Sequence, residues 1–409
     1  MRNSHERILT SHAGSLPRPD SLIEANRARD AGQSKDEADF QRQLHTAVTD
    51  VVAEQKQHGV DIPNDGEFGK AMGHKINYRA WWSYSFNRLG GLDISGARPP
   101  QAPVSRNAGD IILSDITKRR DRSKFTAVYA DPESGVNMGP DAATYVRPTC
   151  VGPVTYKGQE AIKADIDNFK AALAANGVSE GFMTSVAPGS VSRLTNHYYK
   201  TDDEFMFACA DAMREEYKAI VDAGLILQLD DPSIAENWDA VNPEPSVEAY
   251  RKFSRVRVEA LNHAIKGLPE DRIRFHLCWG SWHGPHVTDL PMKDIVDVML
   301  EVRCQAYSFE AGNVRHEHEW TVWKDTKLPD GKIIIPGVVS HATNVVEHPD
   351  LVAQRIVRFA ELVGRENVIA ATDCGLGGRI HPQIAWAKLQ VLSEGAHLAS
   401  QQLWRRSAA

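Results

Sequence analysis

The sequence lacks the features that mark membrane, secreted and nucleic-acid-binding proteins. Its 409 residues contain no run of 18 apolar residues, so we expect no transmembrane helix. Residues 1–7 carry no apolar stretch of the kind found in signal peptides. A formal net charge of −7 gives no support for binding to nucleic acid or to a membrane surface. These absences favour a cytoplasmic protein whose partners are small molecules.

Cysteine is scarce, and its spacing shows no pairs. The chain has five cysteines, an odd number that argues against a disulfide framework and for a reduced setting. Hydrophobic residues make up 42% and charged residues 25%, the balance of an ordinary globular enzyme. No internal repeat is visible, and this length allows either two domains or one large barrel.

Short apolar runs alternate with amphipathic helical segments along the chain. The clearest helices cover residues 203–223 and 350–364. Eight such strand–helix units predict a single (β/α)8 TIM barrel over residues 1–409, in the α/β class. The predicted strands lie near residues 8–12, 60–65, 181–187, 225–230, 273–278, 306–310, 333–339 and 368–373.

One segment interrupts this alternation after the second strand. Residues 85–158 are rich in Gly, Pro, Asp and Arg and contain short β-like runs at 111–113, 125–129 and 145–148. We interpret the segment as an inserted hairpin or small sheet over the barrel mouth. It acts either as a lid or as a contact in a homo-oligomer, and the plain alternative is a solvent-exposed charged hairpin.

Four potential metal ligands stand at the ends of predicted strands. His276 and Cys278 share one face because strand side chains alternate with period two. Glu310 and Cys374 each end a later strand, and barrels of this type gather such ends at one mouth. Two thiolates, an imidazole and a carboxylate suit Zn²⁺. Cysteine is also often an inert buried residue, which is our interpretation of Cys150, Cys209 and Cys304.

Carboxylates also follow two other strands. Glu67 comes just after the second strand and Asp230 ends the fourth. Such groups in a cleft bind an amino group or take part in proton transfer. The alternative role for carboxylates at strand ends, including Asp65 and Asp231, is to cap the helix that follows.

The motifs at these positions resemble a known family. The similarity runs from about residue 8 to residue 404 and is carried by SHAGSLPR at 11–18, DGE at 65–67, QLDDP at 228–232, HLC at 276–278, FE at 309–310, GVV at 337–339 and DCG at 373–375. In these motifs the chain is similar to the catalytic C-terminal domain of cobalamin-independent methionine synthase. It is more similar to the stand-alone relatives, which include epoxyalkane:coenzyme M transferase. The resemblance implies that His276, Cys278, Glu310 and Cys374 bind a catalytic zinc ion.

The resemblance also implies roles for the remaining candidates. Glu67 and Asp230 would hold the amino group of homocysteine or lie beside the folate. The turn that contains Ser15 would contact the carboxylate of the thiol, and Arg18 follows in the same loop. The family's histidine after its Gly-Val-Tyr-Asp turn is displaced here, because Ser340 and His341 follow 337–339. His341 is our candidate proton donor, and loop histidines form a candidate outer layer at His283, His286, His316 and His318.

We therefore expect a zinc-dependent thiol S-alkyltransferase. The first hypothesis is methyl transfer to homocysteine or a similar small thiol from a folate or corrinoid donor, as in methionine biosynthesis. The second is zinc-dependent addition of a small thiol, similar to coenzyme M, to an epoxide or another electrophile. A remote alternative is a metal-free decarboxylase or lyase on the same barrel, and the His/Cys/Glu/Cys set argues against it.

Overall fold

The protein was examined as a computed structural model that describes residues 1–33, 36–75, 77–95, 110–113, 118–136 and 147–405. In these ranges the strands are β1 (Leu9–Thr10), β2 (Leu89–Asp93), β3 (Thr149–Tyr156), β4 (Phe182–Val186), β5 (Thr195–Asn196), β6 (Ile226–Asp230), β7 (Ile273–Leu277), β8 (Ala306–Glu310), β9 (Ile333–Val339) and β10 (Ile369–Thr372).

The helices of the same ranges alternate with these strands. They are α1 (Asp20–Asp30), α2 (Glu37–Gln57), α3 (Ala80–Arg88), α4 (Arg120–Lys124), α5 (Thr126–Ala130), α6 (Gln159–Ala175), α7 (Pro188–Val191), α8 (Asp202–Asp222), α9 (Asn237–Ala240), α10 (Val247–Ala264), α11 (Val296–Leu300), α12 (Pro349–Val363) and α13 (Pro382–Arg405). Within the described ranges, no helix is both long and apolar enough to cross a membrane.

A curled parallel sheet forms the centre of the molecule. Its strands are hydrogen-bonded in the order β1-β10-β9-β8-β7-β6-β4. Residues 61–64 take the remaining place between β1 and β4. The backbone N–H of Ile62 donates to the carbonyl of Thr10 at 3.1 Å, and the N–H of Phe182 donates to the carbonyl of Pro63 at 3.0 Å. The chain therefore has the predicted (β/α)8 barrel fold, with the second strand reduced to a single bridge between Asn64 and Phe182.

The barrel interior is a packed core. Because parallel strands are covered on both faces, nearly every strand residue here is buried. Inward-facing side chains form one buried cluster, as expected for a barrel whose centre is filled by branched aliphatic residues. The cluster consists of Leu9, Ile62, Phe182, Ile226, Ala306, Ile333, Ile335, Ile369 and Ala371. The centre is thus closed, and the polar residues at the strand ends face one mouth.

The predicted helices agree with the structure to within one or two residues. Helix α8 begins after Thr201, whose side chain accepts a hydrogen bond from the N–H of Glu204 at 3.0 Å. Helix α12 has Pro349 at its first turn and ends before Gly364. Local capping and the spacing of apolar residues are therefore enough to predict the bounds of these two helices.

The insertion after the second strand is partly β-structure. Strand β2 pairs antiparallel with β3, and β3 pairs parallel with β5, so a small sheet is present, but its strands are not the predicted runs, and residues 111–113 form no strand. The predicted β-run at 125–129 is wrong, because residues Thr126–Ala130 form helix α5. The hydroxyl of Tyr129 accepts from Trp282 Nε1 at 2.8 Å, and this docking overrides the β-preference of the run. Of the predicted run at 145–148, residues 145 and 146 lie outside the described ranges.

Part of the insertion lies at the barrel mouth. Arg119 binds Glu236 at 2.6 Å in the loop after β6. Asp121 accepts the N–H of Val287 at 3.0 Å in the loop after β7. These contacts place the α4–α5 segment on the same side as the predicted site. A role as lid or as subunit contact stays a prediction.

Replacing Gly337 by alanine should destabilise the fold. A Cβ at Gly337 in β9 would lie 2.3 Å from the Cα of Asp373 and 2.5 Å from its backbone nitrogen. Backbone atoms cannot move aside as a flexible side chain can, so we expect a loss of about 3 kcal/mol or more in free energy of unfolding. Urea denaturation measures this loss. Gly152→Ala is the control, since its nearest atom is the Cα of Gly91 at 3.7 Å. Equal stability of the two variants would contradict this packing.

Candidate active site

Three of the predicted metal ligands come together at the barrel mouth. His276 lies near the end of β7, Cys278 follows it in the loop, and Cys374 follows β10. Their ligand atoms all lie within 4.8 Å of one another, and the two sulfur atoms are 3.8 Å apart. Zinc binds such nitrogen and sulfur ligands at about 2.0–2.3 Å, so a single ion can reach all three after small side-chain adjustments.

The orientation of His276 fits a metal ligand. Its Nδ1 is hydrogen-bonded to Ser308 Oγ at 3.0 Å, which fixes the imidazole ring. Its Nε2 is buried and has no hydrogen-bond partner in the described part of the chain. An unpaired buried nitrogen is costly unless another group satisfies it, and a metal ligand typically has its other ring nitrogen held as here. The residues present therefore fit a zinc ion.

The thiols of Cys278 and Cys374 shift each other's pKa in opposite directions. The neighbouring Cys278 thiol holds the pKa of Cys374 well below its usual value, and His276 adds to the effect against the opposing influence of burial. Contact with Cys374, followed by burial, raises the pKa of Cys278. The N–H of Gly280 also donates to the sulfur of Cys278 at 3.2 Å. The lowered pKa of Cys374 favours the thiolate, which is the form in which cysteine binds a metal.

Glu310 lies beside this trio and is held rigidly. Its Oε1 accepts from the N–H of Trp279 and its Oε2 from Asn313 Nδ2, both at 2.8 Å. Burial raises the pKa of Glu310 to about 7. Its ligand atoms group with those of His341 and Asp373, again within 4.8 Å, rather than with the His/Cys/Cys trio. Direct ligation by Glu310 stays a prediction.

Asp373 is a residue that our sequence analysis missed. Its Oδ1 accepts from the backbone N–H groups of Ala311 at 2.9 Å and Gly312 at 2.8 Å, and its Oδ2 accepts from Asn313 at 3.0 Å. It therefore clamps the loop after β8 to the loop after β10. The only sequence signal was its place directly before Cys374.

His341 is at the site despite its displacement along the sequence. It is buried, and its Nδ1 has no partner among the residues that the structure describes. Burial lowers the pKa of His341 to about 3, so the imidazole is neutral. His283 approaches from the loop after β7, with its Nε2 3.2 Å from the carbonyl of His341. The one-residue shift of the histidine therefore leaves an imidazole beside Glu310.

Two of the other loop histidines form an ion-pair network behind the ligands. His316 Nδ1 lies 2.8 Å from Glu319 and its Nε2 lies 3.1 Å from Asp289, which also binds His286 at 3.0 Å. Burial opposes the charge, yet Asp289 and Glu319 raise the pKa of His316 to about 10. The His316 ring stacks on Trp279 at 4.2 Å and so supports the segment next to Cys278. His318, by contrast, is exposed.

Glu67 is held in a strained backbone position. Its φ of 59° is in the left-handed region, which is uncommon for a residue with a side chain and concentrates at functional sites. Its Oε1 accepts from Thr184 at 2.5 Å and from Lys70 at 3.3 Å. A Cβ at Gly14 would lie 2.8 Å from the same oxygen, so glycine there permits the close approach.

Unpaired acceptor atoms remain at this side of the mouth. Glu67 Oε2 and Gln228 Oε1 are buried without hydrogen-bond partners in the described ranges. Gln228 Nε2 donates to Asp230 at 2.7 Å, and burial raises the pKa of Asp230 to about 7. Acceptors of this kind suit a ligand with several N–H donors, such as an ammonium group.

Asp65 and Asp231, which lie next to Glu67 and Asp230, instead accept hydrogen bonds from the backbone N–H groups that follow them. Asp65 accepts from the backbone N–H of Glu67 at 2.9 Å. Asp231 caps a short 3-10 turn through the N–H of Ser233 at 3.1 Å and also accepts from Ser190 at 2.8 Å. These carboxylates stabilise the loops that carry Glu67 and Asp230.

Ser15 and Arg18 belong to the loop after β1, which packs against the Cys374 loop. The carbonyl of Ser15 accepts from the N–H of Gly377 at 2.8 Å. Arg18 is buried and donates to the carbonyls of Glu67 and Lys70. It braces the Glu67 loop, and direct contact of Ser15 or Arg18 with a substrate stays a prediction.

The chain is similar to known proteins over nearly its whole length. The family model described as "Cobalamin-independent synthase, Catalytic domain" matches residues 142–397. A 2-hydroxypropyl-CoM lyase from Xanthobacter autotrophicus is 23% identical and covers 98% of each chain. A methionine synthase from Saccharolobus solfataricus is 24% identical over 97% of this chain and 96% of its own. The structure of a B12-independent methionine synthase from Shewanella sp. W3-18-1 in complex with selenomethionine superposes with a TM-score of 0.68 at 19% identity, over 98% of this chain and 99% of its own.

Lys70→Met should leave Glu67 as a buried and poorly compensated charge. The side chains of this pair are only 7% and 3% exposed, so we expect a loss of about 3–5 kcal/mol in free energy of unfolding. Adding Glu67→Gln to that variant should recover most of the loss. The exposed pair of Arg42 and Asp39, at 67% and 48%, is the control, and Arg42→Met should cost less than about 1 kcal/mol. Urea denaturation measures the free energy of unfolding of each variant. Similar losses for Lys70→Met and Arg42→Met would contradict the interpretation of Lys70 and Glu67 as a stabilising buried ion pair.

Proposed function

The chain belongs to the family of cobalamin-independent synthase catalytic domains, and on that premise we propose that it is a zinc-dependent thiol S-alkyltransferase. Its preferred reaction is methyl transfer to homocysteine or a similar small thiol. The observation that carries the proposal is the grouping of His276, Cys278 and Cys374, with ligand atoms within 4.8 Å and an unpaired His276 Nε2.

The four predicted ligands have distinct tasks in this proposal. His276, Cys278 and Cys374 hold the zinc ion, and Glu310 completes the site from its neighbouring position. A zinc ion held by these residues would lower the pKa of the substrate thiol and so favour the nucleophilic thiolate. Asn313 and the N–H of Trp279 keep Glu310 in place through their hydrogen bonds of 2.8 Å.

The substrate is oriented by residues on the opposite loops. Glu67 and Asp230, with Gln228 between them, receive the ammonium group. Glu67 Oε2 and Gln228 Oε1 are acceptors without partners in the described ranges, and Asp230 already accepts from Gln228 Nε2. The Ser15 turn contacts the carboxylate. These contacts point the sulfur toward the metal ligands, and holding a reactant in position supplies much of the catalytic effect of such sites.

His341 handles the proton. In the transfer the S–H bond of the thiol breaks, an S–C bond forms, and the bond from carbon to the donor breaks. Burial lowers the pKa of His341 to about 3, so its neutral imidazole guides the thiol proton as a hydrogen-bond partner and does not retain it. The proton ends on the leaving group of a folate donor, or in solvent when the donor is a corrinoid.

Addition of a coenzyme M-like thiol to an epoxide is the second candidate. One oxygen of Glu67 already accepts from Lys70, which reduces the negative charge available to an ammonium group. A relative that matches over 98% of both chains is a 2-hydroxypropyl-CoM lyase. A metal-free decarboxylase or lyase is less well supported, since it leaves the His/Cys/Cys trio without a role.

The protein should contain about one zinc ion per chain. Cys278→Ser and Cys374→Ser should each lose the metal and the activity while the barrel stays folded, because these residues lie in loops outside the core. Elemental analysis of protein purified without chelators measures the metal, and circular dichroism measures the fold. Cys209→Ser is the matched control, since Cys209 is a buried residue of α8. Full zinc content in Cys278→Ser would refute the ligand assignment.

The thiol substrate should be recognised by its ammonium group. Homocysteine should bind and coenzyme M should not, because only the first supplies donors for Glu67 and Asp230. Glu67→Gln and Asp230→Asn should each weaken homocysteine binding by roughly 2–5 kcal/mol. Calorimetric titration of both thiols against the wild type and the two variants measures this. Preferential binding of coenzyme M in all three proteins supports the epoxide reaction instead, and unchanged homocysteine affinity assigns both carboxylates a structural role.

A further inference from the structure

Arg379 is a buried cation that the proposed reaction does not use. It lies in the loop after β10, five residues beyond Cys374, and is 7% exposed. Its Nε donates to Ser281 Oγ at 2.7 Å, and its Nη1 donates to the carbonyl of Asn77. The guanidinium carbon lies 4.2 Å from the centre of the Tyr78 ring. The side chain is therefore fixed in direction by two other loops, the one that contains Asn77 and Tyr78 and the one that contains Ser281.

One edge of this guanidinium remains without a partner. Within the described ranges, Nη2 of Arg379 makes no hydrogen bond, and the acceptors of the rest of the group are a hydroxyl and two carbonyls, none of them a carboxylate. The other buried cations at this mouth differ. Lys70 is paired with Glu67, and the carboxylates of Glu67 and Asp65 act on Arg18. A buried charge is costly unless it is paired, so Arg379 lacks the compensation that its neighbours have.

Arg379 faces the candidate site. Its charge adds to the burial that lowers the pKa of His341 and of His283. His283 also contacts the Tyr78 ring edge-on, with 6.2 Å between ring centres. Tyr78 and His283 are both half-buried, so this corner is accessible from outside. The cation therefore stands at the rim of the mouth, next to the neutral His341.

We propose that Arg379 anchors an anionic group of a substrate, a carboxylate or a sulfonate, at the mouth of the barrel. Guanidinium groups bind such oxyanions through paired N–H donors, and an aromatic face at the back keeps the plane oriented. The anion belongs either to the thiol or to the alkyl donor, and both sources present the same chemistry. The inference rests on the proposed function for the identity of these substrates.

The thiol arm of the test compares L-homocysteine with 3-aminopropane-1-thiol, which lacks only the carboxylate. We expect wild-type protein to prefer homocysteine by roughly 30-fold or more, and Arg379→Gln to lose most of this preference, since only the Ser15 turn then contacts the carboxylate. Arg379→Lys should restore part of it, and Arg42→Gln, at an exposed position, should keep all of it. Calorimetric titration of the zinc-loaded proteins measures the ratio.

The donor arm applies when Arg379→Gln leaves the thiol preference unchanged. A rise of similar size in the KM for 5-methyltetrahydrofolate, with kcat retained, then assigns the anion to the alkyl donor. Unchanged preference together with unchanged KM overturns the proposal.

If Arg379→Gln does not fold, Arg379→Lys is tested in its place. An ammonium group cannot both keep the loop contacts and bind an oxyanion through two parallel N–H donors, so the thiol preference should fall in this variant too. An unaltered preference in that variant also overturns the proposal.

Binding of a simple anion tests this inference independently of the proposed function. Propionate at constant ionic strength should raise the melting temperature of the wild type and not that of Arg379→Gln. If neither thiol binds while propionate still shows this difference, the proposed function fails and the anion site stands. If homocysteine binds and propionate acts equally on both proteins, the anion site fails and the proposed function stands.

Discussion

The carboxylate of Asp373 joins the loops after β8 and β10, and the candidate site depends on this junction. It receives two backbone N–H groups from 311–312 and the amide of Asn313, which in turn holds Glu310. Cys374 is the next residue in the chain. A single buried side chain therefore sets the positions of two predicted ligands, and its burial, which raises the pKa of Asp373 to about 6, is tolerated because those donors compensate it.

Buried charges at this mouth are mostly paired, which makes the unpaired atoms informative. Glu67 has Lys70, and His316 has two carboxylates. Several buried polar atoms stay without partners in the described ranges, and those of the candidate site include His276 Nε2, Glu67 Oε2, Gln228 Oε1 and His341 Nδ1. Because buried polar atoms are usually hydrogen-bonded, a group of four such atoms around one mouth is a place where ligands can bind. Their arrangement is consistent with a metal on one side and an amino group on the other.

Sequence patterns predicted the elements that depend on the periodicity of apolar residues. They did not predict the features that depend on contacts between residues far apart in the chain. Eight strands and the position of the metal-ligand residues followed from apolar runs that end in polar residues, because parallel strands gather their ends at one mouth. Helix α5 was missed since its docking on Trp282 is a long-range contact. The clamp by Asp373 was missed because hydrogen bonds to backbone N–H groups leave no pattern in the sequence. Lys70 and Glu67 are three residues apart in the sequence, a common spacing for ion pairs. This pair is important for stability only because both side chains are buried, which the sequence does not show.

The distribution of unpaired groups also bears on which thiol fits. An amino-acid thiol carries an ammonium group for Glu67 Oε2 and Gln228 Oε1, and a carboxylate for Arg379 or the Ser15 turn. A coenzyme M-like thiol carries the anion alone and would leave both acceptors buried and unsatisfied, at a cost of about 1–3 kcal/mol each. Lys70 offsets the charge of Glu67 but reaches only Oε1, so it does not satisfy the free oxygen. The balance of these terms therefore favours an amino-acid thiol over a simple thiol anion.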